Sequence, residues 1–198
     1  MSDSRLARQI AFLVEADKLK SILRRTPLAD GSRPENSAEH SWHLVLAAMT
    51  LTEYAPADLN IARVFELLAV HDLVEIDAGD TFAYDAAAYE TKAAREIAAA
   101  ERIFGLLPPD QAGYFRACWD EFEAHQTVEA KYANALDRFQ ALLQNVTSGG
   151  GSWRSYSVTR ADVLKRMAPV ERELPELWQF VLDVLDRFFS ESPTPPSR

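Results

Sequence analysis

Cysteine occurs once in these 198 residues, at Cys118, so no disulfide can close within the chain and a reducing compartment suits it. Cations are also scarce: 21 Lys and Arg stand against 30 Asp and Glu, a formal net charge of -9. That balance argues against a protein that tracks a polyphosphate backbone, where Lys and Arg supply most of the affinity. It still allows a small phosphorylated ligand in a local pocket. No apolar run approaches the roughly 18 residues of a membrane span, and no basic leader precedes an apolar stretch. The expectation is a cytoplasmic protein with no membrane and no polymeric nucleic acid among its partners. Strand signals are nearly missing, with neither sustained alternation nor an Asn-Gly hairpin turn.

What the chain does have is apolar residues at helical spacing, and a hydrophobic fraction of 47% is ample for one core. Leu6, Ile10, Leu13, Leu19, Ile22 and Leu23 predict a first helix ending before Pro27. "TPLADGSRPEN" reads as a turn-rich loop. A second helix is expected over 37–54 and a third from an Asp58 cap, through Ile61, Val64, Phe65 and Leu68, into His71-Asp72. "IDAGDTFAYD" is a second polar loop. Further helices are predicted over 86–104, 110–124, 127–146 with Thr127 as cap, 159–167 and 175–189. "TSGGGSW" reads as a flexible internal loop. The fold class is all-α, a compact single-domain multi-helix bundle over 1–190, with a disordered tail at 191–198.

Two stretches resist this bland reading: "RPENSAEHSWH" and "LLAVHDLVEIDAGD". Stepping by three and four from Ile61 puts Asp72 on an apolar stripe, where a carboxylate is costly unless paired or bound to a metal. His71 precedes Glu75 by one turn, so the two share a face. In "KYANALDRFQALLQN" Asp137 has Ala133 and Ala141 one turn to either side, which leaves room near its carboxylate. His40, His71, Asp72 and Asp137 therefore offer a mixed N/O donor set that suits Zn, Mn, Co, Fe or Ni better than Ca. Singly, each has an ordinary alternative: His40 as a helix-start residue, His71-Asp72 as a chance doublet, Asp137 beside Arg138 as a solvated charge. His43 reads as a packed histidine and His125 as a surface one.

Taken together, the order and spacing of "RPENSAEHSWH", "HDLVEIDAGD" and "ALDRFQALLQN" resemble the HD-domain superfamily of metal-dependent phosphohydrolases, and within it the 5'-deoxynucleotidase group, over roughly 13–153. The resemblance implies one divalent metal ion (Mn, Co, Mg, Zn, Fe or Ni) on His40, His71, Asp72 and Asp137, with Asp72 and Glu75 at the chemistry. It implies that Asp80 contacts the substrate sugar and that Arg25 lines the nucleotide pocket. Bacterial members carry a tryptophan after that arginine, which helps to select 2'-deoxyribose; here the residue is Thr26. Arg33 is a further candidate for phosphate charge. The implied activity is hydrolysis of a nucleoside 5'-monophosphate, of the 2'-deoxy kind with Thr26 arguing against strict selectivity, to nucleoside and phosphate, in a protein that could form a homodimer. The alternatives are an HD-type phosphodiesterase or pyrophosphohydrolase acting on another small nucleotide, and a non-catalytic nucleotide or metal sensor.

Overall fold

A computed structural model describes residues 4–191; of the tail expected at 191–198, everything beyond Glu191 lies outside the described residues. The chain begins with α1 (Arg5–Ala16), whose first turn is capped by the Ser4 hydroxyl accepting from the Ala7 N–H. Here the structure departs from the sequence pattern. The chain tightens into a 3-10 turn at Asp17–Ser21 and then extends as β1 (Leu23–Pro27). β1 pairs antiparallel with β2 (Pro34–Asn36), Leu23 opposite Asn36 and Pro27 opposite Pro34. The first helix therefore stops at Ala16, short of Leu19, Ile22 and Leu23, and two short strands exist where none was expected. Pro27 disfavours helix at the residue before it, and pairing with β2 holds the segment extended.

β2 runs straight into α2 (Ser37–Thr50) through a capping box in which Asn36 and Glu39 bond each other's backbone N–H at 2.9 and 3.2 Å. The helix yields to a 3-10 turn at Thr52–Tyr54. α3 (Ile61–Val70) is capped by Asn60, not Asp58, and stops one residue before His71. A turn over 71–74 leads into the single-turn α4 (Glu75–Ala78), so the run from Ile61 to Glu75 is broken rather than continuous. Gly79, at φ 74°, ends α4 in a conformation L-residues rarely adopt, and this turns the chain back so that Asp80 faces inward.

α5 (Ala86–Phe104), α6 (Pro109–Ala124) and α7 (Val128–Thr147) follow, α7 capped by Thr127 as expected. α8 (Gly151–Ser155), α9 (Arg160–Glu173) and α10 (Pro175–Glu191) complete the described fold. α7 is the axis, packed against α2, α3, α6 and α9. Its Tyr132, Leu136 and Leu142 meet Leu44, Val64, Leu67 and Leu68 in the core. Each such leucine contributes roughly 1.5–3 kcal/mol by leaving water. Among the described residues no helix is long and apolar enough to cross a membrane.

The glycine run is not the flexible loop its composition suggests. It feeds α8, whose Trp153 is buried, edge-on to Phe188 and stacked on Phe189. A Cβ on Gly151 would fall 2.7 Å from the Pro27 ring, so only glycine lets α8 lie against β1.

Candidate metal centre and its cavity

Three elements bring the four candidate ligands together. His40 lies on the buried stripe of α2 with Ser37, Ser41, Leu44 and Ala48. His71 and Asp72 occupy the turn after α3, and Asp137 projects from α7. One ligand atom each from His40, His71 and Asp72 lie within 4.8 Å of one another. His40 Nε2 stands 3.0 Å from Asp137 Oδ1 and 3.9 Å from Asp72 Oδ2, and His71 Nε2 stands 3.1 Å from Asp72 Oδ1. Donors sharing one ion at about 2.0–2.2 Å sit at comparable separations from each other.

The rings are held by their other nitrogens. His71 Nδ1 donates to the Leu68 carbonyl at 2.9 Å, which leaves Nε2 as the lone-pair nitrogen. Around His40 the assignment follows from its neighbours. The Gln140 amide nitrogen donates to Glu35 Oε1 at 3.0 Å, so its carbonyl oxygen faces His40 Nδ1, at 3.1 Å, and accepts from it. His40 Nε2 is thereby aimed at Asp137 Oδ1, and in the metal-free protein a second ring proton bridges the two at 3.0 Å. A cation bound here would take the place of that proton. The field around the ring favours the proton: burial and Arg24 lower the His40 pKa, yet bonding to Asp137 and Glu35 and the charge of Asp72 outweigh both, lifting it to about 9. For His71 burial dominates, the pKa falls, and the ring is neutral at pH 7. His71 Nε2 is buried without a hydrogen-bond partner, an expensive arrangement for a group that ligates nothing. The donor set and this orphaned nitrogen fit a divalent cation.

Glu75 is buried beside the ligands, with Oε2 accepting from the Ser37 hydroxyl at 2.6 Å. Burial first, then the charges of Asp72 and Asp80, raise its pKa well above the usual carboxylate range. Asp80 moves the same way, mainly through burial, although Arg24 and the Arg25 backbone N–H oppose the shift. Asp137 goes the other way: burial raises its pKa, but bonding to His40 and the charges of His40, Arg24 and Arg166 hold it well below that range.

Two cavities meet here. One, of ≈230 Å³, contains His71, Asp72, Glu75, Asp80 and Asp137 among its walls. The other, ≈80 Å³, is walled by Arg25, Thr26, Phe82, Tyr84 and Trp153 and shares Arg24, Asp80 and Asp137 with the first. Arg25 sits exposed at the rim, and Thr26 is buried in the wall. Arg33 is not brought to the site. It is exposed, lines neither cavity, and forms a two-pronged pair with Glu39 at 2.6 and 2.9 Å, an extension of the α2 cap. His43 touches the site indirectly, its Nδ1 3.1 Å from the Gln140 amide nitrogen. His125 is exposed, as expected, at the rim of the larger cavity.

Sequence reasoning missed several residues. Arg24 donates to Asp72 Oδ2 at 3.1 Å and lies 3.7–3.8 Å from Glu35, Asp80 and Asp137. Glu35 is fully buried, its Oε1 accepting from Gln140 at 3.0 Å and Gln144 at 2.6 Å. Reading β1 and β2 as strands would have found both, because alternation turns Arg24 and Thr26 to one side and Glu35 inward. The signal for the glutamines was in plain view: Asp137, Gln140 and Gln144 recur at three and four on α7.

Residues 16–178 match the HD-domain family, and the chain belongs to it. Among its relatives is the 5'-deoxynucleotidase HDDC2 of Xenopus laevis, 34% identical over 137 residues, 67% of this chain and 67% of that one. The human 5'-deoxynucleotidase HDDC2 is 33% identical over 137 residues, 67% and 66% of the two chains, so this chain spans about two thirds of such relatives. A 5'-deoxynucleotidase of Yersinia pestis (strain Pestoides F) is 25% identical over 86% of this chain and 88% of its own. In three dimensions the chain is similar to a crystal structure described as a predicted metal-dependent phosphohydrolase from Magnetospirillum magnetotacticum MS-1. That match has 49% identity and a TM-score of 0.89 over 95% and 97% of the two chains.

Proposed function

We propose that this chain is a metal-dependent phosphohydrolase that converts nucleoside 5'-monophosphates to nucleoside and inorganic phosphate. The observation that carries the reading is the convergence of His40 Nε2, the orphaned His71 Nε2 and two carboxylates beside the buried Glu75. The relatives' names, 5'-deoxynucleotidase, supply the substrate class.

His40, His71, Asp72 and Asp137 would hold the ion, which is Mn, Co, Mg, Zn, Fe or Ni. A divalent cation there supplies Lewis acidity toward water and phosphoryl oxygen. The chain's own groups do the rest. Water oxygen bonds to phosphorus, the bond from phosphorus to the 5'-oxygen breaks, and that oxygen takes a proton. Glu75 carries the proton: burial raises its pKa, which favours a carboxyl that can hold and pass one, and Ser37 fixes it at 2.6 Å. Arg24 offsets the mutual repulsion of Asp72, Asp80 and Asp137. Asp80, which borders both cavities, is positioned for the sugar, and Arg25 and Thr26 face the nucleoside side. With Thr26 in place of tryptophan, ribonucleotides and deoxyribonucleotides should be turned over at comparable rates.

One observation keeps longer phosphates in the substrate panel. Arg24, Arg25, Arg138 and Arg166 all line the smaller cavity, more cationic groups than a monophosphate alone requires. The test is phosphate release from nucleoside mono-, di- and triphosphates, ribo and deoxy, by metal-stripped protein resupplied with Mn, Co or Mg. Monophosphates should be cleaved best, and Asp72→Ala should abolish both metal binding and turnover. Silence with every metal, or an active Asp72→Ala protein, overturns the reading.

A further inference from the structure

The ligand-bearing α2, α3 turn and α7 carry all three sequence motifs, but one cation reaches the centre from α9, which carries none of them. α9 is fixed by Val163, Met167 and Val170, buried at helical spacing where it packs on α7. Arg166 directly precedes Met167 and so lies at the edge of that stripe. Its side chain is 30% exposed, and Nη2 stands 3.9 Å from Asp137 Oδ2, whereas Asp137 Oδ1 faces His40. Both cavities that meet at the metal centre have Arg166 in their walls, as does an open groove of ≈330 Å³ alongside Tyr84 and Lys165.

Arg25 borders the smaller cavity but not the larger one, and the other neighbouring cations are engaged. Arg24 is enclosed by four carboxylates, Lys92 binds Glu96 at 2.8 Å, and Arg138 donates to the Asn134 carbonyl at 3.0 Å. Arg166 differs. At 3.9 Å its link to Asp137 is an ion pair too long to be a hydrogen bond, so the planar fork can turn onto another anion without breaking one. A guanidinium is the side chain best shaped to take two oxygens of a phosphate at once.

We infer that Arg166 grips the non-bridging oxygens of the scissile phosphoryl group, opposite the ion that Asp137 helps to hold. The inference rests on the phosphohydrolase reading and adds to it a substrate contact from α9. No ligand role is given to Arg166, so metal binding should survive its loss.

The experiment compares the Mn-loaded parent with Arg166→Gln and Arg166→Lys. Inorganic phosphate binding is followed by calorimetry, and kcat/KM is measured on a nucleoside monophosphate. Arg166→Gln should lose most phosphate binding and about 100-fold in kcat/KM, the usual scale for one preorganised donor to developing charge. Arg166→Lys should recover part of both, keeping the charge but not the fork. Mn affinity should be unchanged in both variants. An Arg166→Gln protein that binds phosphate and turns over like the parent overturns the inference while leaving the phosphohydrolase reading intact. Parent protein that fails to bind phosphate also overturns it. Phosphate bound through Arg166 in a protein that cleaves no nucleotide would sustain the inference and sink the reading.

Discussion

On the metal side of the cavity, every candidate ligand issues from a long helix or the turn that ends one, and both imidazoles are pinned at Nδ1. On the side of the smaller cavity, Arg25 and Thr26 come from a five-residue strand, and Asp80, Phe82 and Tyr84 from the turn between α4 and α5. The contrast follows what each half must do. Ligands and proton carriers have to be held to fractions of an ångström, which packed helices and second hydrogen bonds provide. Walls that select a sugar or base can vary, and short irregular segments vary most readily.

The largest effect expected from breaking the metal side without removing a ligand is at Glu75. Glu75→Gln keeps the Ser37 contact but cannot carry the proton, so kcat should fall by about 10²–10⁴-fold with Mn affinity retained. An unimpaired kcat would remove Glu75 from the chemistry. Next comes Glu35, which faces His40 Nδ1 at 3.4 Å and also holds the Gln140 amide that accepts from it. Glu35→Gln should weaken metal binding by about 10–100-fold, the usual cost of disturbing a partner that orients a ligand. Calorimetric titration with Mn measures it, and unchanged affinity would show that the buried glutamate serves the fold alone.

A pH titration sharpens the same half. A metal ion must displace the proton from His40, whose pKa stands at about 9 in the metal-free protein. Apparent affinity should therefore rise with pH toward about 9 and level off above it, with a proton released per ion bound. The linkage to stability has a definite sign. The pKa is raised above its ordinary 6.5, so its contribution is complete below that pH and is lost as pH climbs through about 9. Thermal melts of metal-free protein should show that loss, and metal-loaded protein should not. The smallest effect is expected at Arg33. Arg33→Ala removes an exposed pair with Glu39 and should leave turnover unchanged, whereas a marked loss in kcat/KM would return Arg33 to the site.

The approach of His40 to His71 and Asp72 was legible in the sequence because its constraints are local and periodic. Asp72 on an apolar stripe and Asp137 between two alanines are anomalies that helical spacing exposes. The hairpin was not legible. Residues 17–27 contain enough leucine and isoleucine to pass for helix, yet 17–21 tighten into a 3-10 turn and pairing with β2 holds 23–27 extended. That single misreading hid Arg24 and Glu35, since both depend on strand alternation. Arg166 was hidden for a different reason: its importance comes from α9 folding back on α7, a tertiary fact with no local signature.

The join between Gly151 and Pro27 bears on how this protein can be cut and rebuilt. A run of three glycines invites an engineer to split the chain there, insert a tag, or circularly permute it. Yet Gly150 abuts Phe188 and Gly151 abuts Pro27, at the end of the strand carrying Arg24, Arg25 and Thr26. Bulk added at Gly151 would press on Pro27, making this apparent hinge an unforgiving place to alter.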